Sequence, residues 1–428
     1  MLYIKNAAQV VTVSGGSKAP KIGSEMEQLN VIGNGGVVVE GDIIAFAGTD
    51  QEAADYVEQH AGGKDVKVIL AEGKTVTPGL IDPHTHVVFA GSREHELALR
   101  LRGATYMEIL QAGGGILNSA NKTRAASESQ LIGETRKRLD RFLVHGVTTI
   151  EAKSGYGLRL ADELKQLRAA RFLHNDHPVD LVSTFMGAHA VPPEYKSDPD
   201  KYVRIVTEEM IPAVAKEGLA EYCDVFCEEG VFTPGQSKTI LEAGLKWGLK
   251  PKIHADEIVP YRGAELAAEI GAVSAEHLLR ASDAGIRAMA EKGVIAVLLP
   301  GTAFFLMTKP ADARKMIEAG VPVALSTDRN PGSSPTESLP FIMNLACLTM
   351  RMTPAEALTA CTINAAHAIG RADRIGSIEV GKQADLVIFD APNVEYMQYH
   401  YAVNLTETVI KNGVAVILNG KRTYACAR

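Results

Sequence analysis

Short apolar runs alternate with amphipathic stretches through the middle of the 428-residue chain. In the stretches between the runs, apolar residues recur every three or four positions, which is the spacing of one helix face. This alternation predicts strands followed by helices, the arrangement of a parallel sheet with helical connections. Eight predicted strands cover residues 76–81, 147–152, 180–186, 222–226, 251–254, 273–276, 295–299 and 321–326.

The number of alternations favours a closed barrel over an open sheet. Eight strands that alternate with helices, over roughly 250 residues or more, predict a (β/α)8 TIM-like barrel. An open doubly wound sheet would place a glycine-rich phosphate loop directly after its first strand. The glycines at 113–115 have no strand just before them, so we expect them to form a mobile loop near the site. Predicted helices cover residues 128–143, 161–172, 282–292, 311–319 and, after the eighth strand, 353–369.

The two ends of the chain have a different pattern. Both carry short β-rich runs separated by glycine turns, and Asn412-Gly413 is a hairpin signal. Chain termini often lie close together, which makes a shared domain plausible. We therefore predict a small β-sandwich domain built from residues 1–75 with 374–428, and a barrel domain from 76–373.

Polar residues follow the predicted barrel strands at the points where those strands end. Barrel active sites lie at the carboxyl ends of the strands, and five of the twelve histidines fall there. This distribution predicts a metal or binding site at that face. The residues are His84 and His86 after the first strand, 153–156 after the second, His189 after the third, 228–229 after the fourth, His254 and Glu257 after the fifth, His277 after the sixth and 327–333 after the eighth.

His84 and His86, taken alone, are an even choice between a metal-binding pair and two unrelated histidines. Alternate residues of an extended chain point to the same face, so both imidazoles can approach one point. His254 and Asp328 complete a set of three imidazoles and one carboxylate, which suits Zn²⁺ or Fe²⁺ and leaves room for water. A metal ion in such a site lowers the pKa of its bound water toward about 7.

The same strand ends supply groups that can move protons. Asp328 and Glu257 are candidates for taking a proton from water and delivering one to a leaving nitrogen. Standing alone, Asp328 would be interpreted as a helix N-cap. The alternative for His277 is a buried core histidine, but we expect His277 to hydrogen-bond the hydroxide on the metal. The fourth strand ends in Cys227-Glu228-Glu229 and offers no lysine that could bridge two ions, so we expect one divalent metal per subunit.

Composition and charge indicate which binding partners and which cellular compartment to expect. The chain is 46% hydrophobic and 22% charged, with a formal net charge of -7 and no basic stripe, which argues against nucleic acid as a partner. Five cysteines, an odd number, suit a reducing compartment. The chain has neither an uninterrupted apolar run of about 18 residues nor a signal-peptide block. We expect a cytoplasmic protein without membrane contact, and a homodimer as the commonest default.

Two long motifs resemble the metal-dependent amidohydrolase superfamily, and the likeness covers nearly the whole chain. Val76-Thr-Pro-Gly-Leu-Ile-Asp-Pro-His-Thr-His86 looks like the superfamily's signature on its first strand. Gly376-Ser-Ile-Glu-Val-Gly-Lys-Gln-Ala-Asp-Leu-Val-Ile-Phe389 looks like the segment that returns the chain to its small β domain. The resemblance implies a metal-dependent hydrolase.

Shorter motifs resemble one branch of that superfamily, whose members hydrolyse 4-imidazolone-5-propanoate to N-formimidoyl-L-glutamate during histidine breakdown. They lie at residues 88–94, 151–157, 185–189, 254–257 and 326–333.

That resemblance also implies roles for individual residues. Arg93 would grip the propanoate through two hydrogen bonds, and Tyr156 would donate its hydroxyl to the substrate. His189 would polarise the ring carbonyl or hold its developing oxyanion. Further contacts to the ring or product would come from Glu257, Asn330, Gly332 and Ser333, with Tyr106 and His277 as secondary candidates.

Two other functions are compatible with parts of the pattern. A metal-dependent aminohydrolase that deaminates a heterocyclic base would share the metal ligands, but a neutral base needs no Arg93 to bind a carboxylate. A non-catalytic barrel kept as a scaffold should have lost ligands, whereas His84, His86, His254 and Asp328 are all present.

Overall fold

The computed structural model describes residues 1–63, 65–103, 108 and 114–424, and its strands form two separate sheets. Tyr106, Gly113 and Cys426 lie outside the described residues. One sheet contains eight strands in chain order, and every neighbouring pair that its register defines is parallel. Its strands are β6 (Leu80–Asp82), β7 (Val147–Lys153), β8 (Asp180–Ala188), β9 (Tyr222–Cys227), β10 (Lys250–Ala255), β11 (Ser274–His277), β12 (Ile295–Leu298) and β13 (Val323–Leu325).

Residues just beyond β6 and β13 close this sheet into a barrel. Thr85 forms a parallel bridge with Arg329, and the His86 amide donates to the Arg329 carbonyl at 2.9 Å. The buried Asp82 carboxylate accepts hydrogen bonds from the Ser326 hydroxyl and from the amide and hydroxyl of Thr327. The predicted (β/α)8 barrel is confirmed, and its closure lies beside the histidine pair.

Helices connect the barrel strands and cover the outside of the barrel. The α-helices of the described chain are Asp50–His60, Glu94–Leu101, Ile116–Ala125, Glu128–Val144, Leu160–Asp176, Pro199–Ile205, Ile211–Lys216, Pro234–Lys246, Gly263–Ile270, Asp283–Lys292, Pro300–Phe305, Ala313–Glu318, Leu339–Met350, Pro354–Ala360, Ile363–Ala368 and Val394–Tyr399. A π-helical turn (Val206–Met210) and two 3₁₀ turns (Gly23–Glu27, Pro193–Tyr195) complete the helical structure. None of these helices is both long and apolar enough to cross a membrane.

The second sheet is mixed and draws its nine strands from both ends of the chain. Apolar side chains from both ends, including Ile4, Val10, Ile388 and Ile410, share one buried cluster there. The two termini therefore build one sheet, as the sequence predicts. Its strands are β1 (Leu2–Val11), β2 (Val31–Glu40), β3 (Ile43–Thr49), β4 (Lys67–Leu70), β5 (Thr75–Pro78), β14 (Leu386–Phe389), β15 (Thr406–Lys411), β16 (Val414–Leu418) and β17 (Lys421–Arg422).

The run at 76–81, predicted as a single barrel strand, is divided between the two sheets. Strand β5 pairs with β1 and β14 in the terminal sheet, whereas β6 pairs with β7 in the barrel. Gly79 lies between the two strands. A side chain does not fit there, because a Cβ at this position would lie 2.3 Å from the Thr148 Oγ1 atom. Its amide donates to the Asp385 carbonyl, and the next amide, of Leu80, donates to the Gly146 carbonyl. The segment that leads to the histidine pair is thus bonded to both sheets.

Candidate active site

Three imidazoles and one carboxylate converge at the carboxyl ends of the barrel strands. His84, His86, His254 and Asp328 are each at most 2% exposed. The Nε2 atoms of His84 and His86 lie 3.4 and 3.8 Å from Asp328 Oδ1. His254 Nε2 lies 3.3 Å from His86 Nε2. The structure therefore brings together all four residues that the sequence predicts as metal ligands.

The state of these imidazoles fits a divalent cation. Burial lowers the pKa of His84 and His86 well below the ordinary value, so both rings are neutral and expose lone pairs. Within the described part of the chain, both ring nitrogens of His84 and Nδ1 of His86 are buried without a hydrogen-bond partner. Unpaired buried nitrogens are costly, and neutral imidazole with carboxylate is a donor set that Zn²⁺ and Fe²⁺ accept. The residues present fit the metal that the sequence implies.

Asp328 is held in one orientation by its neighbours. The Thr302 hydroxyl donates to Asp328 Oδ2 at 2.6 Å, which leaves Oδ1 facing the histidines. Asp328 has a φ of +52°, a left-handed conformation that non-glycine residues adopt at some cost, often at functional sites. The next α-helix begins at Leu339, and Ser338 caps it. The alternative role of Asp328 as a helix N-cap is therefore excluded.

His277 and Glu257 form a second polar pair beside the histidines. His277 Nδ1 lies 3.6 Å from Glu257 Oε1, and the His277 and His84 ring centroids are 5.5 Å apart. Burial raises the pKa of Glu257 to about 8, with a further contribution from the charge of Asp328. A carboxyl group with this pKa is protonated at neutral pH and can donate a proton. Burial likewise raises the pKa of Asp328 to about 7.

Two other carboxylates shape the loop that carries Glu257. Asp256 accepts hydrogen bonds from the amides of Tyr261, Gly263 and Ala264, and Glu228 accepts one from Ile258. In the sequence, both acids are marked only by their position after a predicted strand. Their role depends on loop amides that become neighbours only in the fold.

Tyr156 and His189 face the histidine pair from β7 and β8. The His189 ring stacks on His86 with centroids 4.7 Å apart, and Tyr156 meets His86 edge-on at 5.9 Å. His189 Nδ1 lies 3.1 Å from the Gly155 carbonyl, which can only accept, so Nδ1 carries the proton. Burial lowers the pKa of His189 to about 3, and the neutral ring therefore presents Nε2 as an acceptor. His189 could donate to an oxyanion through Nε2 only after gaining a proton.

The loop around Tyr156 is fixed by a helix behind it. The buried Glu163 carboxylate accepts from the amides of Gly155, Gly157 and Leu158 at 2.7–3.0 Å. Gln166 accepts from the Tyr156 amide and donates to the Val88 carbonyl, which ties this loop to the one after β6. A side chain at Gly155 would place its Cβ 2.9 Å from His189 Nδ1.

Arg93 lies between Glu96 and the loop after β13. Its Nε and Nη2 atoms donate to the two Glu96 carboxylate oxygens at 2.9 and 2.7 Å. Its Nη1 atom faces Gly332, where an added Cβ would lie only 2.2 Å away. One edge of the guanidinium is therefore already paired, and Nη1 is the group left to face a substrate.

Asn330 organises the backbone beside this guanidinium. Its side-chain oxygen accepts from the amides of both Gly332 and Ser333 at 2.8 Å, and its amide group donates to the Asp328 carbonyl. These three predicted substrate-binding residues thus form one turn, which lies against Arg93.

The barrel interior beneath the histidines is charged. Barrels are usually filled there with branched apolar side chains. Burial would lower the pKa of Lys153, but the charges of Asp224, Glu151 and Glu276 raise it, so its ammonium stays charged. Among the described residues, five charged side chains form ion pairs with one another in this interior, each at most 1% exposed: Glu151, Lys153, Asp224, Lys252 and Glu276.

A cavity of about 660 Å³ lies at the opposite, amino-terminal end of the barrel. Its lining includes Thr149 and Asp180 from the barrel and Arg371, Arg374 and Gln383 from the segment that returns to the terminal sheet. None of the predicted site residues lines this cavity, so the polar cluster at the carboxyl ends remains the candidate active site.

Comparison with known proteins shows the family to which the sequence is similar along nearly its whole length. Residues 75–422 match the Amidohydrolase family. A relative from Shouchella clausii, described as imidazolonepropionase, is 69% identical over 420 residues, which cover 98% of this chain and 94% of the relative. One from Geobacillus kaustophilus, with the same description, is 63% identical over 98% of this chain and 99% of its own length.

Solved structures show the same fold at lower identity. An atrazine chlorohydrolase mutant from Arthrobacter aurescens, complexed with zinc and atraton, has a TM-score of 0.74 and 17% identity, covering 99% of this chain and 97% of that one. An adenosine deaminase from Xanthomonas campestris with bound zinc has a TM-score of 0.72 and 19% identity, covering 98% and 94%.

Proposed function

The chain belongs to the imidazolonepropionases of the amidohydrolase family, and we propose the roles that its own residues take in this hydrolysis. The reaction opens the cyclic amide C–N bond of 4-imidazolone-5-propanoate with water and yields N-formimidoyl-L-glutamate, a step of L-histidine degradation. The observation that carries the assignment of roles is the convergence of His84, His86, His254 and Asp328 at one point, with the Arg93 guanidinium against Gly332 on the loop that follows Asp328.

We assign the metal to those three histidines and Asp328. One divalent ion, Zn²⁺ or Fe²⁺, would supply Lewis acidity and activate water at neutral pH. The buried, unpartnered nitrogens of His84 support this assignment, as do the zinc-containing structures of similar fold.

Substrate orientation is assigned to the groups around Arg93 and His189. Arg93 Nη1 binds the propanoate, while Glu96 holds the other edge of the guanidinium in place. Tyr156 donates its hydroxyl to the substrate, and neutral His189 accepts a hydrogen bond at Nε2 from a ring N–H. The turn made by Asn330, Gly332 and Ser333 contacts the ring or product.

Proton movement is assigned to Asp328 and Glu257. Asp328 Oδ1 takes a proton from the attacking water, and Glu257, protonated at neutral pH, delivers one to the ring nitrogen as the C–N bond breaks. His277 lies 3.6 Å from Glu257 and orients its carboxyl group. Water thus adds to the carbonyl carbon, and the nitrogen leaves with a proton.

Replacing Arg93 by alanine is expected to raise KM by about 10- to 100-fold, because hydrogen bonds to a charged group contribute roughly 1.5–3 kcal/mol. The effect on kcat should be smaller, since the propanoate lies away from the reacting bond. Steady-state kinetics with 4-imidazolone-5-propanoate measure both constants. The control is Arg102→Ala. Arg102 is an exposed arginine directly after the helix Glu94–Leu101, which Arg93 precedes. An unchanged KM in Arg93→Ala would remove Arg93 from the site.

Gly332→Ala should raise KM by roughly 10-fold with little loss of stability, because the new Cβ displaces only the flexible end of Arg93. Thermal unfolding and KM, measured together, test this. In an Arg93→Ala background the same substitution should have no further effect on KM. Additive effects in the double variant would show that Gly332 acts independently of Arg93.

Product identification tests the whole assignment. The purified protein is incubated with 4-imidazolone-5-propanoate, and formation of N-formimidoyl-L-glutamate is followed by mass spectrometry. Release of ammonia from a heterocyclic base, without ring opening of the imidazolone, would instead support the aminohydrolase alternative. Absence of a bound transition metal in elemental analysis would support the alternative that the protein is a non-catalytic scaffold.

We further propose a cytoplasmic homodimer. The cysteines that the structure describes, Cys223, Cys227, Cys347 and Cys361, carry free thiols, as expected in a reducing compartment. Sedimentation equilibrium of the purified protein measures the oligomeric state.

A further inference from the structure

Five charged side chains fill the barrel beneath the site, where apolar side chains would be expected. Replacing buried ion pairs by well-packed apolar residues often leaves stability unchanged or increases it. Stability alone therefore does not account for a charged interior. The contacts that these side chains make with the proposed metal ligands indicate another role.

Asp224 faces the nitrogen of His254 that points away from the site. His254 Nδ1 lies 3.1 Å from Asp224 Oδ2, while its Nε2 lies beside His86. The carboxylate accepts the Nδ1–H, so the Nε2 lone pair is directed toward the other ligands. Asp224 thus fixes both the tautomer and the orientation of the His254 ring.

Lys153 holds Asp224 in this position. Its ammonium lies 2.6 Å from Asp224 Oδ2, 3.0 Å from Glu151 Oε2 and 3.8 Å from Glu276 Oε2. Because Asp224 Oδ2 faces Lys153 and His254 together, a shift of the lysine would release the carboxylate from its place under the imidazole.

Glu276 faces the outward nitrogen of a second proposed ligand. His84 Nδ1 and Glu276 Oε2 are 4.0 Å apart, and within the described chain both atoms are buried without a hydrogen bond. Glu276 Oε2 also lies 3.8 Å from the Lys153 ammonium, and a small rotation of either side chain would bring it within hydrogen-bond distance of His84 Nδ1, since an unmade buried hydrogen bond is costly.

We propose that Lys153, Asp224 and Glu276 form a positioning unit that orients His254 and His84 and so sets the affinity of the site for its metal. This inference rests on the proposed metal ligands and adds three residues that none of the assigned roles uses. Carboxylates that accept from metal-binding histidines typically change metal affinity by 10- to 100-fold when they are lost.

Lys252 on β10, two residues before His254, provides a matched control. Its ammonium pairs with Glu151 Oε1 at 2.9 Å and lies 4.9 Å from the centre of the Tyr222 ring. It is as deeply buried as Lys153, but none of its ion pairs in the described structure involves Asp224, Glu276 or a histidine. Loss of either lysine removes one buried cation, and only Lys153 holds the positioning unit.

The test compares Asp224→Asn, Lys153→Met and Lys252→Met with the wild-type protein. Zn²⁺ affinity is measured by competition with a chromogenic chelator, and the visible spectrum of the Co²⁺-loaded protein reports the ligand geometry. We expect Asp224→Asn and Lys153→Met to bind Zn²⁺ 10- to 100-fold more weakly, with an altered Co²⁺ spectrum. Lys252→Met should keep the wild-type spectrum and an affinity within about threefold.

Thermal unfolding of the three metal-free variants separates positioning from general destabilisation. All three are expected to unfold below the wild-type temperature, because each disturbs a buried ion pair. Wild-type affinity in Asp224→Asn, or equal weakening in Lys252→Met, would overturn the inference. If Lys153→Met does not fold, the comparison of Asp224→Asn with Lys252→Met still tests whether the buried charges position the metal ligands. A wild-type protein that binds no metal would overturn the proposed ligand set instead.

Discussion

Replacing Asp328 by alanine is expected to lower kcat by at least about 10³-fold, because the change removes a proton acceptor and a proposed metal ligand together. The protein should still fold, since the closure of the barrel depends on Asp82, Ser326 and Thr327 and not on Asp328. Initial rates with 4-imidazolone-5-propanoate, together with metal content and circular dichroism, measure the effect.

The neighbouring Thr302 separates orientation of this carboxylate from its chemistry. Thr302→Val removes the hydrogen bond to Oδ2 and leaves Oδ1 in place. We expect kcat of Thr302→Val to fall by about 10-fold, which is the effect of losing one hydrogen bond to a charged group.

Turnover near the wild-type rate in Asp328→Ala would exclude Asp328 from both of its assigned roles.

Replacing Glu257 by glutamine is expected to lower kcat by about 10²-fold or more, because an amide keeps the shape of the side chain but cannot deliver a proton. KM should change much less, since the amide can still hydrogen-bond the substrate. The measurement is the full dependence of rate on substrate concentration at neutral pH.

Glu229→Gln is the matched control for this substitution. Glu229 is an exposed glutamate next to Glu228 on the loop after β9, and its loss should leave both constants unchanged. A kcat within threefold of wild type in Glu257→Gln would move proton delivery to another group, with Asp328 or His277 next in reach.

The barrel could be predicted from the sequence because its signal is local. Alternating apolar runs and amphipathic stretches identify strands and helices within windows of a few residues, and polar residues after each run mark the carboxyl ends. Since a closed barrel brings all these ends to one face, His84, His254 and Asp328 could be placed together without knowledge of any contact.

Features that depend on contacts between distant segments could not be predicted. The run at 76–81 divides at Gly79, which lies so close to Thr148, a residue 69 positions further along the chain, that a Cβ would not fit. Arg93 could be identified as a cation near the proposed metal site, but not the contact of its Nη1 atom with Gly332 on the loop after β13.

The charged interior is present in the sequence, but position at a strand end does not reveal it. Lys153 is the last residue of β7, as expected for a strand-end residue, and its ammonium pairs with Asp224 inside the barrel. Alternation offers a clue, since Glu151 and Lys153 lie two positions apart on β7 and so share a face, as do Lys252 and His254 on β10. A charge on the same face as a metal ligand could therefore have been assigned to the interior.

Because the chain passes directly from the terminal sheet to the barrel at Gly79, the two sheets are not independent units. His84 and His86, the proposed metal ligands, follow a strand of the barrel that directly continues β5, which lies between β1 and β14. Cutting the chain at that point would leave the amide of Gly79 without its acceptor, the Asp385 carbonyl. The segment that leads to the histidine pair would then be held less firmly. The terminal sheet thus fixes the start of the segment that carries the histidine pair, and we expect a barrel separated from this sheet to lose that support.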